Sequence, residues 1–235
     1  SMRVTGAKGG YSGGTYASIN NIISEASKNK EIRKDLINPY GLNPEGEKNG
    51  PDKRDLSSVI FDKKIKKWIA PFLMAGINTK IVRRSNALSN YKYGKNFRYD
   101  EAVMTGDGFM GRIRGILFSI PLIFLTAKPG SIMKSIFNIL SPNPGQGPNK
   151  KEREAGYFSI RFYVFNESVN SIYKVTGDRD PGYGSTSKML AESAVCLAKD
   201  SLNNSYGLLT PSTAMGDEIL KRLELNAGLK FSRIK

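Results

Sequence analysis

Residues 157–176, YFSIRFYVFNESVNSIYKVT, carry the pattern that decides the fold. Phe158, Ile160, Phe162 and Val164 recur at every second position, while Ser159, Arg161 and Tyr163 fall between them. An extended chain with that alternation has one face for a core and one for water. The turn-prone residues Asn166 to Asn170 lead into a second such run, Ser171 to Thr176, so the pair reads as an antiparallel hairpin.

Downstream, Ser185 caps a predicted helix to about Leu202, with Met189, Leu190, Ala194 and Leu197 on one face. Gly207 to Thr210 reads as a strand, Ala214 to Asn226 as a helix ended by Gly228, and Leu229 to Ile234 as a last strand. Upstream, Arg3 to Ala7 reads as a strand, Lys8 to Gly14 as a glycine-rich turn, and Tyr16 to Ser27 as a helix. Further expected elements are a strand at Ile65 to Phe72, a helix from Asn78 through Leu88, and a strand from Phe97 to Val103. Residues 29–58 and 141–151, scattered with Pro and Gly, read as loop-rich connectors. The expected fold is α+β: one domain over 1–235, with helices packed on a mixed, largely antiparallel sheet. Ser1-Met2 reads as the remnant of a cleaved tag, and the strand-like Arg3 to Ala7 that follows at once suggests an excised fragment.

Composition narrows the chemistry. The chain has no histidine and one cysteine, Cys196. It therefore supplies no Ser-His-Asp triad, no Cys-His pair, no internal disulfide and no thiolate or imidazole metal centre, and no metal is expected. Acid or base work falls to Asp, Glu, Lys or Tyr. The net charge of +15 suits a nucleic acid, an anionic membrane surface or an anionic cofactor, and no nucleic-acid module accompanies it.

Three local patterns invite a function. GGYSGGT, 9–15, lies between strand and helix, but no Gly-x-Gly-x-x-Gly occurs in that turn and the Walker ending is missing, so it reads as a structural turn. DRDPGYGST, 178–186, sets carboxylates, a phenol and hydroxyls before a helix N-terminus that could hold an anionic group. The uncharged run 115–127, GILFSIPLIFLTA, falls short of the roughly 20 residues that span a membrane and is interrupted by Pro121. Arg112, Arg114 and Lys128 beside it suit a membrane interface, and a buried core helix or a dimer contact is the other reading. Tyr99 and Glu101 share a strand face and make a candidate proton-transfer pair, with a buried Tyr beside a solvated Glu as the alternative.

Five separated blocks occur in one order: GGYSGGTYASI, IVRRSNAL with Tyr93-Gly94 and Phe97-Arg98-Tyr99, PNPGQGP, GDRDPGYGSTSKMLAESA, and GLLTPSTAMGDEILKRL. Together they resemble the saccharopine dehydrogenase-like oxidoreductases, in particular the trans-acting enoyl reductase branch. The resemblance implies the substrate-side, dimer-forming carboxyl-terminal domain of an enzyme that binds NAD or NADP on an amino-terminal Rossmann domain. No cofactor is expected on this chain, which would be inactive alone, and no catalytic residue carries over. Arg83, Arg84, Ser85, Asn86, Asp180, Gly182, Tyr183 and Thr186 are the candidate substrate-binding residues. The implied setting is cytoplasmic with a small-molecule substrate and a homodimer, and lipid-surface binding is the rival reading.

Overall fold

A computed structural model describes residues 1–9, 13–125, 131–132, 145–166, 170–202 and 206–235. Parts of four regions named above lie outside the described residues: 10–12 of the glycine turn, 126–127 of the apolar run, 141–144 of the connector and 167–169 of the hairpin loop.

The chain runs β1 (Met2–Lys8), α1 (Gly13–Lys28), α2 (Lys30–Ile37), β2 (Ile60–Asp62), β3 (Lys67–Pro71), α3 (Ala75–Leu88), β4 (Glu101–Gly106) and α4 (Gly108–Leu125). It continues with α5 (Lys150–Glu154), β5 (Tyr157–Phe165), β6 (Asn170–Gly177), α6 (Gly184–Lys199), α7 (Pro211–Asn226) and β7 (Leu229–Arg233). The strands form one mixed seven-stranded sheet in the order β2-β3-β4-β1-β5-β6-β7. Only β1 and β4 are paired in parallel; the other neighbours are antiparallel. The chain is an α+β protein.

The decisive hairpin forms as its alternation requires. β5 and β6 pair from Phe158↔Gly177 to Phe165↔Asn170. Phe158, Ile160 and Phe162 pack with Met189 of α6, Leu223 of α7 and Phe231 of β7 around buried Val175, Ala227 and Leu229. Val164, on the same face but near the hairpin end, is exposed. α3 and α4 lie on this face too: Glu101 bonds to Asn78 of α3, and Thr105, four residues along β4, bonds to the carbonyl of Gly111 in α4. Adjacent strands lie about 4.8 Å apart, so a flat sheet would hold β2 some 14 Å from β1. Yet Asp62 of β2 meets Arg3 of β1 at 2.8 Å, and Lys64 lies over the Phe165 ring of β5. Strand twist has rolled the β2 edge over the opposite face.

Four expectations are corrected. Residues 29–58 are not all loop: Asn29 accepts from the amides of Glu31 and Ile32, a cap that starts α2 despite the prolines downstream. Residues 150–151 of the second connector begin α5 behind the Asn149–Glu152 capping box. Gly207 to Thr210 is not a strand but the lead-in to α7, whose N-cap is Thr210 and whose first residue is Pro211. The run from Gly115 is not a core helix broken at Pro121, because α4 begins at Gly108 and passes through the proline. Only Gly111, Gly115, Ser119 and Leu125 of α4 are buried. Glycine is needed at the first two: a Cβ on Gly115 would lie 2.8 Å from Val59 Cγ1, and one on Gly111 would run into the carbonyl of Gly106.

Candidate functional site

α3 buries a polar face. Thr79, Lys80, Arg83, Ser85 and Asn86 are inside, whereas Ile77 is exposed. The Arg83 guanidinium, 3% exposed, donates to the Asp52 carboxylate at 2.7 Å, the Pro39 and Tyr99 carbonyls at 3.1 and 2.9 Å, and the Thr79 hydroxyl at 3.0 Å. It also lies over the Tyr40 ring. Lys80 donates to the carbonyls of Leu36 and Gly76, and burial lowers its pKa. These contacts fasten the segment between α2 and β2 onto α3.

Beside them, the Tyr99 hydroxyl donates to Glu101 Oε1 at 3.0 Å and the Asn78 amide donates to Oε2 at 3.0 Å. Both Tyr99 and Glu101 are buried. Burial raises the Glu101 carboxyl above its usual value, and burial next to that carboxyl raises the Tyr99 phenol as well. The arrangement can hold a proton on Glu101, but with both groups shut from solvent it is built as an internal network. The alternative of a solvated Glu is overturned because Asn78 of α3 covers the strand at that point.

The other predicted residues of α3 are likewise engaged by the protein. Arg84 donates to the Leu42 carbonyl and, at 2.6 Å, to that of Leu208. Ser85 and Thr210 share a hydroxyl contact of 2.7 Å. Asn86 accepts from the Tyr93 amide and donates to the Gly94 carbonyl, holding a turn in which Asn90 and Tyr91 take positive φ. These contacts bring the 81–88 block against the 207–223 block. Where the two meet, a cavity of about 470 Å³ opens between the ends of α3 and α6 and the start of α7. Ser89, Ser201, Ser212, Thr213, Asp217 and Glu218 give it a polar wall.

The remaining blocks gather elsewhere. Gly9 lies against Asp180 and Pro181, the Gly13 amide bonds to the Gln146 carbonyl, and the Asp180 amide bonds to Arg153 of α5. Asp180, fully buried, accepts from the amides of Tyr183 and Gly184 at 2.8 and 2.7 Å, and its carbonyl accepts from Ser185. The N-terminus of α6, expected to hold an anionic group, is thus capped by the chain's own carboxylate. Thr186 bonds to the Pro181 carbonyl, and Gly182, Tyr183 and Thr186 are exposed. This cluster sits past the Lys8 end of β1, while Glu101 pairs with Met2 at the other end. Six residue steps of strand separate the two ends by about 20 Å. The eight predicted residues therefore form two groups, not one cleft.

One motif escaped the sequence reading. Gly106-Asp107-Gly108-Phe109-Met110-Gly111 is a Gly-x-Gly-x-x-Gly between a strand and a helix, with Gly106 and Gly108 at positive φ. An NAD site of this kind also uses an acidic residue about twenty positions on, whereas an NADP site uses a nearby Arg. The sequence has none between Asp107 and Glu152. The acidic residue of an NAD-type fingerprint is thus missing after this motif. Of its three glycines, Gly111 lets α4 lie close on Gly106 of β4 and Trp68 of β3. Among the described residues no cluster of three carboxylate or thiol groups could hold a metal.

No family model and no solved structure matches the chain. Curated proteins do. A Mycobacterium tuberculosis protein named, provisionally, as a trans-acting enoyl reductase is 36% identical over 233 residues, covering 92% of this chain and 55% of the relative. The trans-acting enoyl reductases of Mycobacterium ulcerans and Mycobacterium bovis are 32% and 31% identical, each over 90% of this chain and 54% of their own length. The chain spans about half the length of these curated relatives, and along nearly all of its own length it is a homologue of proteins named trans-acting enoyl reductase.

Proposed function

We propose that the chain is the substrate-side part of an NAD(P)-dependent, saccharopine dehydrogenase-like enoyl reductase and does not reduce a substrate by itself. The observation that carries this reading is the similarity to trans-acting enoyl reductases over 90–92% of the chain but only 54–55% of the relatives. The dinucleotide site belongs, on this reading, to the part of the relatives that the chain does not span. What the chain contributes is a rigid wall: the Arg83 network locks α3 to the sheet, and the Asp180 cap fixes the start of α6. Of the eight candidate residues, Tyr183 and Thr186 at the start of α6 remain solvent-facing side chains able to meet a substrate.

The test is a fluorescence titration of the chain with NADH and NADPH, followed by the same titration after adding the remaining portion of a relative. No saturable binding is expected from the chain alone, and cofactor binding with enoyl-dependent oxidation of NAD(P)H is expected from the pair. Micromolar binding by the chain alone would refute the division of labour.

A further inference from the structure

We propose that α4 docks the protein, lying flat, on an anionic lipid bilayer. The helix presents large apolar side chains to solvent: Phe109 is 73% exposed, Met110 57%, Ile116 48%, Leu117 60% and Ile120 41%. Monomeric soluble proteins rarely leave such a run uncovered without an interaction that uses it. At about 100° per residue, Gly111, Gly115 and Ser119 fall on one side, which is the side packed on β3 and β4. Phe109, Ile116, Leu117 and Ile120 fall opposite.

The charges around α4 choose the occupant. On the same helical wheel Arg112 and Arg114 project about 100° to either side of the outward apolar face. That is where a helix lying in a bilayer interface puts its cations, level with the headgroups while the apolar face goes below them. Asp107, before the helix, is neutralised by Lys67 at 2.6 Å. Lys67 thus sits at this end of α4, and Lys66 before it in the chain is exposed. No carboxylate occurs from residue 108 to 151, and the chain carries +15 overall. A second copy of the chain would bring the same cations to its own mirror patch and be repelled, whereas phosphatidylglycerol or phosphatidylserine headgroups attract them. α4 has 18 residues, or about 27 Å of helix, enough length and apolarity to cross a bilayer. Its small-residue side is held against the sheet, however, so the helix lies along the membrane and does not pass through it.

The test is flotation of the chain with phosphatidylcholine vesicles, with and without phosphatidylglycerol. The chain is expected to float with the anionic vesicles, about tenfold less with the neutral ones, and less again at high salt. Leu117→Ser with Ile120→Ser should abolish flotation, and Arg112→Ser with Arg114→Ser should remove the preference for anionic vesicles. As a variant that keeps the apolar face, Leu117→Trp should gain emission that brominated lipid quenches. The proposal fails if the chain does not float with anionic vesicles, if a folded Leu117→Ser/Ile120→Ser variant floats like the wild type, or if the emission gained in Leu117→Trp is unaffected by brominated lipid. It also fails if sedimentation shows a dimer that this double variant abolishes and vesicles do not disrupt. None of these readouts involves reductase activity, so the docking surface and the proposed function stand or fall separately.

Discussion

Replacing Arg83 with Met removes a guanidinium that serves four acceptors and leaves the Asp52 carboxylate, itself 9% exposed, without its cation. Met has similar length and no charge, so the lost volume is small and the electrostatic loss dominates. Asp52 keeps one bond, from the Tyr99 amide at 3.1 Å. Breaking a buried pair from one side typically costs about 3–5 kcal/mol, mostly because the stranded charge stays desolvated. For a domain of this size each kcal/mol lowers Tm by about 2–4 °C, so the variant should melt roughly 6–20 °C below the wild type. Arg83→Lys should recover only part of this, since an ammonium cannot reach all four acceptors from one position. Adding Asp52→Asn to Arg83→Met should restore roughly 2 kcal/mol, because the stranded charge is gone. The assay is thermal unfolding by circular dichroism or calorimetry on these four proteins and on Asp52→Asn alone, which completes the cycle. A folded Arg83→Met variant melting within about 3 °C of the wild type, or strictly additive losses in the double variant, would refute the clamp and leave Arg83 free to meet a substrate.

Three more perturbations follow from the same contacts. Burial raises the folded-state pKa of Glu101 above its ordinary 4.5, so the folded protein holds that proton more tightly and stability falls as pH rises from there through the folded value. Glu101→Gln keeps an acceptor for Tyr99 and removes the titration, so Tm of the variant minus Tm of the wild type should grow between about pH 4.5 and 7; a difference that is flat or shrinks contradicts the assignment. Asp180→Ala strips the start of α6 of its acceptor and should cost about 1–2 kcal/mol, with faster amide exchange at Tyr183 and Gly184 than elsewhere in α6; unchanged exchange there would show that another group caps the helix. Gly111→Ala forces a methyl against the Gly106 carbonyl, so α4 must lift from β4 at a cost of about 1–3 kcal/mol, seen as a lower Tm and a shifted Trp68 emission; a wild-type melt would mean the helix is not seated as closely as described.

How much was legible depended on the range of the forces involved. The alternation in 157–176 fixes a strand pair from residues a few positions apart, and the hairpin formed in that register. Strands at β1, β3 and β7 and helices at α1, α3, α6 and α7 carried the same local signals, to within a few residues at their ends. α2 was hidden because prolines and glycines downstream outweighed the Asn29 cap, and Thr210-Pro211 was read as strand although it opens a helix. The polar spacing Thr79, Lys80, Arg83, Asn86 on one side of α3 was the available sign of a buried network, but a helix face is ordinarily oriented by its apolar residues.

By itself the sequence determined the α+β class, the antiparallel half of the sheet, and the absence of histidine and paired-thiol chemistry, all of which follow from short-range periodicity or from composition. Only the tertiary structure decided which charges meet. Asp52 and Arg83, Ser85 and Thr210, and Arg3 and Asp62 are brought together by chain reversals and by the roll of the sheet, across separations that periodicity does not encode. The same packing set Asp180 on the α6 amides and turned Gly111 and Gly115 of α4 inward, which left that helix's apolar side outside.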